Sequence, residues 1–180
     1  MTKIITYPHP GLRLTAKPIL KFDSQVKALA VALLTTVVPD PREPLGVGLA
    51  APQINVSLRM FVMLFPNKKM AVVVNPQIIK VSQLRLADLP ENKQFLEGCL
   101  SVPGYYAFVD RPQKITVKYQ TPSGSIKRKT LNYPFSTYFQ HENDHLNGIL
   151  FIDYLKKTKQ QMYFGARRGQ LKPVKNPFLV

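Results

Sequence analysis

The stretch QHENDHLNG, residues 140–148, predicts the central element of the fold. If this stretch is helical, steps of about 100° per residue place His141 and His145 only about 40° apart, flanked by Glu142 and Asp144. The remaining faces of the helix are mostly apolar, with Tyr138, Phe139, Leu146 and Ile149. The pattern therefore predicts a largely buried helix that carries four functional side chains on one face.

The flanking segments predict the structure that would bury this helix. Apolar residues recur at helical spacing from a cap at Asp23 or Ser24 to Pro39, and Gly148 is placed to end the second helix. PDPREPLG, residues 39–46, reads as an irregular loop. Two hairpins are predicted, with strands at 59–65, 70–79, 114–119 and 125–131. The sequence thus predicts an α+β fold, in which antiparallel sheets pack around a central helix and follow an N-terminal helix.

The chain is long enough for one domain. It has 180 residues, 45% of them hydrophobic, which can form a single core. We expect residues 1–155 to form the main domain and residues 156–180 to be a basic C-terminal tail, part of the same domain or disordered. The start lacks the apolar stretch of a secretory signal, and no apolar run reaches the roughly 18 residues of a membrane span. We therefore expect a cytoplasmic protein without a membrane partner.

The charge of the chain is strongly positive, with a formal net charge of +15 at pH 7. A field of this sign favours polyanionic partners, such as nucleic acid or the ribosome, over a small acidic substrate. Seven basic residues and no acidic residue lie between Lys156 and Lys175. This segment either docks on RNA or is a solvated tail, and the composition fits both.

His141, Glu142 and His145 form a His-Glu-x-x-His pattern, in which two imidazoles bind one metal ion and the carboxylate handles protons on a metal-bound water. The alternative is two histidines satisfied in a core and a glutamate at the surface. Cys99 is the single cysteine, which excludes an intrachain disulfide; it is either a third ligand or a buried free thiol. Three ligands would leave one position for water, which is typical of a catalytic site. His9, between two prolines, is expected to be an ordinary loop residue.

The stretch GVGLAAPQ, residues 46–53, has unusually small side chains. It can be a segment that packs closely against a neighbour, and a phosphate loop is disfavoured because no lysine follows. Gln53 at its end carries a side-chain amide that can donate a hydrogen bond to an oxyanion.

Taken in order, GVGLAAPQ, EGCLS and QHENDHLNG resemble the three signature motifs of the peptide deformylases. These enzymes remove the formyl group from the initiator methionine of nascent chains. The resemblance runs from ITYPHPGLRLTAKPI through YQTPSGSIKRKTL and covers roughly residues 3–155. It implies that residues 1–155 form a deformylase-like catalytic domain.

The resemblance also implies a role for each matching residue. The metal ligands would be Cys99, His141 and His145. Glu142 would move a proton from metal-bound water to the leaving amine, while Gln53 and the backbone N–H of Leu100 would stabilise the oxyanion. Arg111 would pair with an acid near the site, and Asp144 would orient its neighbours. The residues that would bind the substrate or form its methionine pocket are Gly48, Glu97, Gly98, Arg111 and Tyr138.

One divalent metal ion is the implied cofactor. Fe(II) is expected in the cell, and Zn(II), Ni(II) or Co(II) can substitute because thiolate and imidazole ligands accept several borderline metals. The implied partners are nascent N-formylmethionyl peptides and, transiently, the ribosome, with no sequence-specific nucleic acid.

Two other functions fit parts of the pattern. A zinc metallopeptidase would use the two histidines but would leave Cys99 without a role. An RNA- or ribosome-binding protein that has kept the fold and lost the activity fits the charge, yet it gives no reason for an intact Glu142. Ser136 and Thr137 depart from the resemblance, because relatives usually have an alanine and either an arginine or an apolar residue there. Thr137 and Tyr138 lie on the helix face that could line the methionine pocket, so the resemblance does not define the width of that pocket.

Overall fold

The helix predicted around QHENDHLNG lies at the centre of the structure. The computed structural model describes residues 2–38, 46–156, 160–166 and 169–178. Helix α2 spans Phe135–His145, and Phe139 on it is completely buried. The chain leaves the helix through Gly148, which has a φ of 70° and donates its N–H to the carbonyl of His145 at 3.2 Å. Glycine has no Cβ to strain in this left-handed conformation, so the helix ends where the sequence predicts.

The strands of the described residues form two antiparallel sheets. Their bounds are β1 Gly48–Ala50, β2 Met60–Leu64, β3 Met70–Val81, β4 Glu97–Cys99, β5 Val102–Ala107, β6 Lys114–Gln120, β7 Ile126–Asn132, β8 Met162–Phe164 and β9 Lys172–Val174. A five-stranded sheet has the order β1-β2-β3-β6-β7, and a four-stranded sheet has the order β4-β5-β8-β9. The two predicted hairpins are confirmed as β2–β3 and β6–β7.

The five-stranded sheet is covered by a helix on each face. Phe61 and Met63 of β2 belong to the core cluster that contains Phe139 of α2. Met60 and Val62 belong to the second core cluster, which also contains Ala30 and Leu33 of helix α1, Ser24–Val37. Because side chains alternate along a strand, β2 is buried on both faces and connects the two halves of the core.

Helix α1 spans Ser24–Val37 and begins at the predicted cap. The carboxylate of Asp23 accepts hydrogen bonds from the backbone N–H groups of Gln25 and Val26, at 2.9 and 3.4 Å. These bonds satisfy two donors that a helix N-terminus leaves free. The helix ends at Val37, directly before the segment that contains Pro39.

The four-stranded sheet carries Cys99 at the end of strand β4. Its strands β8 and β9 come from the basic C-terminal segment, and β8 pairs with β5 through the register Tyr105↔Phe164. A short helix, α3 at Phe151–Leu155, packs with this sheet in a third core cluster that includes Met162. Residues 162–164 and 172–174 therefore form part of the four-stranded sheet.

The predicted α+β class, with antiparallel sheets around a central helix, is confirmed. Most of the predicted loop at 39–46 lies outside the described residues, as do Lys157, Lys159, Arg167 and Arg168 of the basic segment. None of the helices in the described part of the chain is long and apolar enough to cross a membrane.

Candidate active site

Three side chains that can hold a metal ion meet beside α2. His141 and His145 lie one turn apart on this helix, and Cys99 ends strand β4. Each offers one ligand atom, and these atoms all lie within 4.8 Å of one another. The Sγ of Cys99 is 3.2 Å from Nε2 of His145. The structure therefore brings together the three residues that the sequence proposed as a ligand set.

The spacing of these atoms fits a divalent ion. In a tetrahedral site with bonds of about 2.0–2.3 Å, the ligand atoms lie about 3.5 Å apart. The orientation of His141 also fits, because its Nδ1 donates to Oε2 of Glu97 at 3.0 Å and leaves Nε2 for a metal. A carboxylate behind a ligating imidazole fixes the ring and its tautomer. One thiolate and two imidazoles suit borderline metals such as Fe(II) and Zn(II).

A buried ion-pair network supports His141 from behind. Arg111 and Glu97 are each only 4% exposed, and Arg111 donates from Nε and Nη2 to the two Glu97 oxygens at 2.5 and 3.0 Å. Its Nη1 donates to Oδ2 of Asp144 at 2.9 Å, which also accepts from the hydroxyl of Tyr154 at 3.0 Å. Burial is the largest single influence on Glu97 and opposes its ionisation, but the charges and hydrogen bonds of Arg111 and His141 together outweigh it, so the pKa of Glu97 lies below its usual value. Arg111 thus favours the charged form of both carboxylates, although burial keeps the pKa of Asp144 above its usual value.

We expect Arg111→Met to lower the free energy of unfolding by roughly 3–5 kcal/mol, because it leaves the buried charge of Glu97 without its partner. Urea denaturation measures this change. The matched control is Arg85→Met, since Arg85 forms an ion pair with Asp110 while 46% exposed, and an exposed pair contributes about 1 kcal/mol or less. Equal losses in the two variants would contradict the stabilising role of the buried network.

The carboxylate of Glu142 lies in the space that Gly48 leaves open. A Cβ at position 48 would collide with the Glu142 side chain, so a glycine is needed there. Glu142 is buried, and its Oε2 has no hydrogen-bond partner among the described residues. Burial raises the pKa of Glu142 to about 7. A carboxyl group with this pKa can accept and release a proton near neutral pH.

The side-chain amide of Gln53 is turned towards the same cluster. Its Oε1 accepts from the backbone N–H of Ala50 at 2.8 Å, while Nε2 donates to Oγ of Ser101 at 3.1 Å and lies 3.5 Å from Sγ of Cys99. Because the oxygen is held by a backbone donor, the orientation of the amide is set. Its N–H donors are therefore directed to where a charged oxygen can form beside Cys99.

These groups open on one cleft of about 730 Å³, a volume typical of sites for ligands larger than a single residue. Arg111 and His145 are buried and do not line it, whereas Thr137 does. The cleft-lining residues among those predicted to act in the site are Gly48, Gln53, Glu97, Gly98, Cys99, Leu100, Tyr138, His141 and Glu142.

Sequence reasoning did not find several residues of this site. Ser101 anchors Gln53, and the only signal for it was its place within EGCLS. Tyr154 reaches Asp144 from α3, and no local pattern connects these two positions. His9 is the loop residue that was expected, because its Nδ1 accepts from the N–H of Gly11 at 3.0 Å.

Comparison with known proteins agrees with this geometry. The family model described as polypeptide deformylase matches residues 1–161. A peptide deformylase of Bartonella tribocorum is 38% identical over 168 residues, which cover 90% of this chain and 88% of that protein. The crystal structure of a peptide deformylase from Legionella pneumophila is 41% identical, with a TM-score of 0.74, and 86% of each chain is covered. The peptide deformylase of Thermotoga maritima superposes with a TM-score of 0.73 at 38% identity, covering 85% of this chain and 96% of its own.

Proposed function

The chain belongs to the polypeptide deformylase family and is a hydrolase for N-formylmethionyl peptides, and we propose that it works with one divalent metal ion held by Cys99, His141 and His145. The observation that carries this proposal is the meeting of three ligand atoms with an unpartnered, buried carboxylate at one cleft. A bound metal ion would polarise the formyl carbonyl and activate a water molecule. We propose Fe(II) in the cell, with Zn(II), Ni(II) or Co(II) as substitutes, because the donor set accepts each of these metals.

In this proposal Glu142 moves the proton. It takes a proton from the water whose oxygen attacks the formyl carbon, and it delivers that proton to the amine nitrogen as the C–N bond breaks. Formate and a peptide with a free amino terminus are the products. The free Oε2 of Glu142 supports this role, because no neighbour among the described residues competes for it.

Gln53 and the backbone N–H of Leu100 stabilise the negative oxygen that forms during the attack. The amide of Gln53 is already oriented by Ala50, and Leu100 lines the cleft next to Cys99 in the chain. Donors placed before the reaction stabilise developing charge without reorganisation. The reaction needs no covalent bond between the substrate and the protein.

We expect Gln53→Leu to lower kcat by roughly 10²- to 10³-fold with a small change in KM, because the lost donor acts mainly on the transition state. Steady-state kinetics with a formylated tripeptide separates the two constants. Ser101→Ala is the control, since it removes a partner of the amide but no donor to the substrate. A rise in KM at unchanged kcat would show that Gln53 only binds the ground state.

The substrate lies as an extended chain between two sheet edges. Strand β1 is an edge of the five-stranded sheet and β4 is an edge of the four-stranded sheet, so each can pair with a peptide backbone. Gly48, Glu97 and Gly98 on these strands line the cleft. The methionine side chain then lies near Tyr138 and Thr137, on the α2 side of the cleft.

Formate release from a formyl-Met tripeptide by anaerobically purified, Fe(II)- or Ni(II)-loaded protein tests the proposed function. We expect turnover, and we expect peroxide to abolish it in the Fe(II) form because thiolate and ferrous iron are both oxidisable. A zinc metallopeptidase would release amino acids and no formate. An RNA-binding protein without activity would give neither product, and either result would refute the proposal.

We propose that the exposed edge strand β7 makes transient contact with the ribosome. No acidic residue occurs between Asp110 and Glu142 in the sequence, and β7 exposes Lys127, Arg128 and Lys129. Basic side chains on one exposed strand can neutralise RNA phosphates.

The expected result is that Lys127→Gln, Arg128→Gln and Lys129→Gln together weaken co-sedimentation with ribosomes and reduce its salt dependence. The control variant carries the same charge change at exposed positions elsewhere: Lys3, Lys21 and Lys27. If both triple variants lose binding equally, the net charge of the protein rather than β7 is responsible.

A further inference from the structure

Three residues next to the C-terminal strands β8 and β9 form a wall of the cleft. The match to the family model ends at residue 161, and β8 begins at Met162. Beyond that point Gly165, Ala166 and Leu171 line the same cleft as the residues of the candidate metal centre. This part of the site therefore belongs to a segment outside the family match.

The wall is fixed to the body of the protein. The N–H of Gly165 donates to the carbonyl of Gly104 at 3.0 Å, which continues the pairing of β5 with β8. The ring of Tyr105 lies 4.9 Å from the ring of Phe164 and 5.0 Å from that of Phe178. Met162 on β8 is buried in the core. These contacts fix β8 to the body of the protein, and β9 pairs with β8.

The position of the wall suggests which part of a substrate it meets. Gly104, to which Gly165 is bonded, belongs to the segment that follows Cys99 and Leu100. Tyr138 comes from α2 and marks the side proposed for methionine. If the formyl group lies at Cys99 and the methionine side chain near Tyr138, the rest of the peptide can leave the site past Gly165, Ala166 and Leu171.

We propose that Leu171 contacts the side chains that follow formylmethionine and favours apolar residues there. Leu171 is half-buried, and the described residues that line this wall beside it are a glycine and an alanine. An apolar substrate side chain placed against it is removed from water, whereas a charged one loses hydration and finds no charged partner among the described residues that line this wall. The inference rests on the proposed deformylase function and names a specificity determinant for it.

Three formylated substrates test the inference: formyl-Met-amide, formyl-Met-Leu-Phe and formyl-Met-Asp-Asp. We expect Leu171→Ala to lower kcat/KM for formyl-Met-Leu-Phe by roughly three- to tenfold, because part of an apolar contact is lost. Turnover of formyl-Met-amide should stay within about twofold, since that substrate ends before the wall. Leu171→Met should keep the preference for apolar residues because it conserves apolar volume. Gln170→Ala, at the neighbouring position, should leave kcat/KM for all three substrates unchanged.

The ratio of kcat/KM between the long and short substrates separates specificity from stability. An equal loss on all three substrates would show that Leu171 supports only the fold, and no loss on any would show that it does not touch the peptide. Either outcome overturns the inference while leaving the deformylase function in place. If the wild-type protein turns over none of the three, the proposed function fails and the inference fails with it.

Discussion

Glu142→Gln is expected to lower kcat by roughly 10²- to 10⁴-fold while the metal content of the protein stays the same. The change keeps the shape of the side chain but removes its ability to take a proton, and general acid–base catalysis contributes about this much. Gly48 leaves room for either side chain, because no Cβ intrudes on the carboxylate. Formate release and metal analysis on the same preparation measure both quantities.

The control for this variant is Glu91→Gln, which makes the same chemical change at an exposed residue. It should retain full activity. If Glu142→Gln also loses the metal, the residue supports the ligands rather than the proton transfer. If it keeps most of its turnover, another base must act and the proposed role of Glu142 is wrong.

Cys99→Ala is expected to remove the metal and to reduce turnover by well over 100-fold. Loss of an outer partner of a metal ligand already costs about 10- to 100-fold, so loss of a direct ligand should cost more. Two imidazoles remain, and three protein ligands are the usual minimum for a catalytic site of this kind. Metal content after dialysis, together with formate release, measures the effect.

The same experiment separates the deformylase from a zinc peptidase. A peptidase of the His-Glu-x-x-His type takes its third ligand from a residue other than Cys99. A Cys99→Ala protein that keeps its metal would therefore favour the zinc peptidase. Ser101→Ala is the control, because Ser101 contacts Gln53 and its backbone N–H lies 3.4 Å from Sγ of Cys99. It should keep the metal.

The sequence predicted those features that depend on local patterns. Helical periodicity located α1 with a cap at Asp23 or Ser24, of which the structure uses Asp23. The spacing of His141 and His145 located α2 and the face that carries the candidate ligands. Alternating strands and turn sequences predicted the β2–β3 and β6–β7 hairpins. Each of these signals lies within a few residues of the feature it predicts, which is why one sequence was sufficient.

Contacts between distant segments could not be predicted in this way. Tyr154, Arg111 and Asp144 lie in three different segments of the chain, and the first two both donate hydrogen bonds to Asp144. Leu171 directly precedes β9, which joins the sheet through the pairing of β9 with β8 and of β8 with β5, and it lines the cleft. The sequence did not decide whether the basic segment is a tail or part of the domain. Its short strands are stabilised by the strands with which they pair rather than by their own composition.

The most direct test of the single-metal account is to titrate Fe(II) anaerobically into metal-free protein while measuring formate release from a formyl-Met tripeptide. We expect turnover to rise in proportion to bound iron and to stop rising at about one ion per chain, because Cys99, His141 and His145 can form one ligand set. Turnover by the metal-free protein, or a rise that continues to two ions per chain, would contradict it.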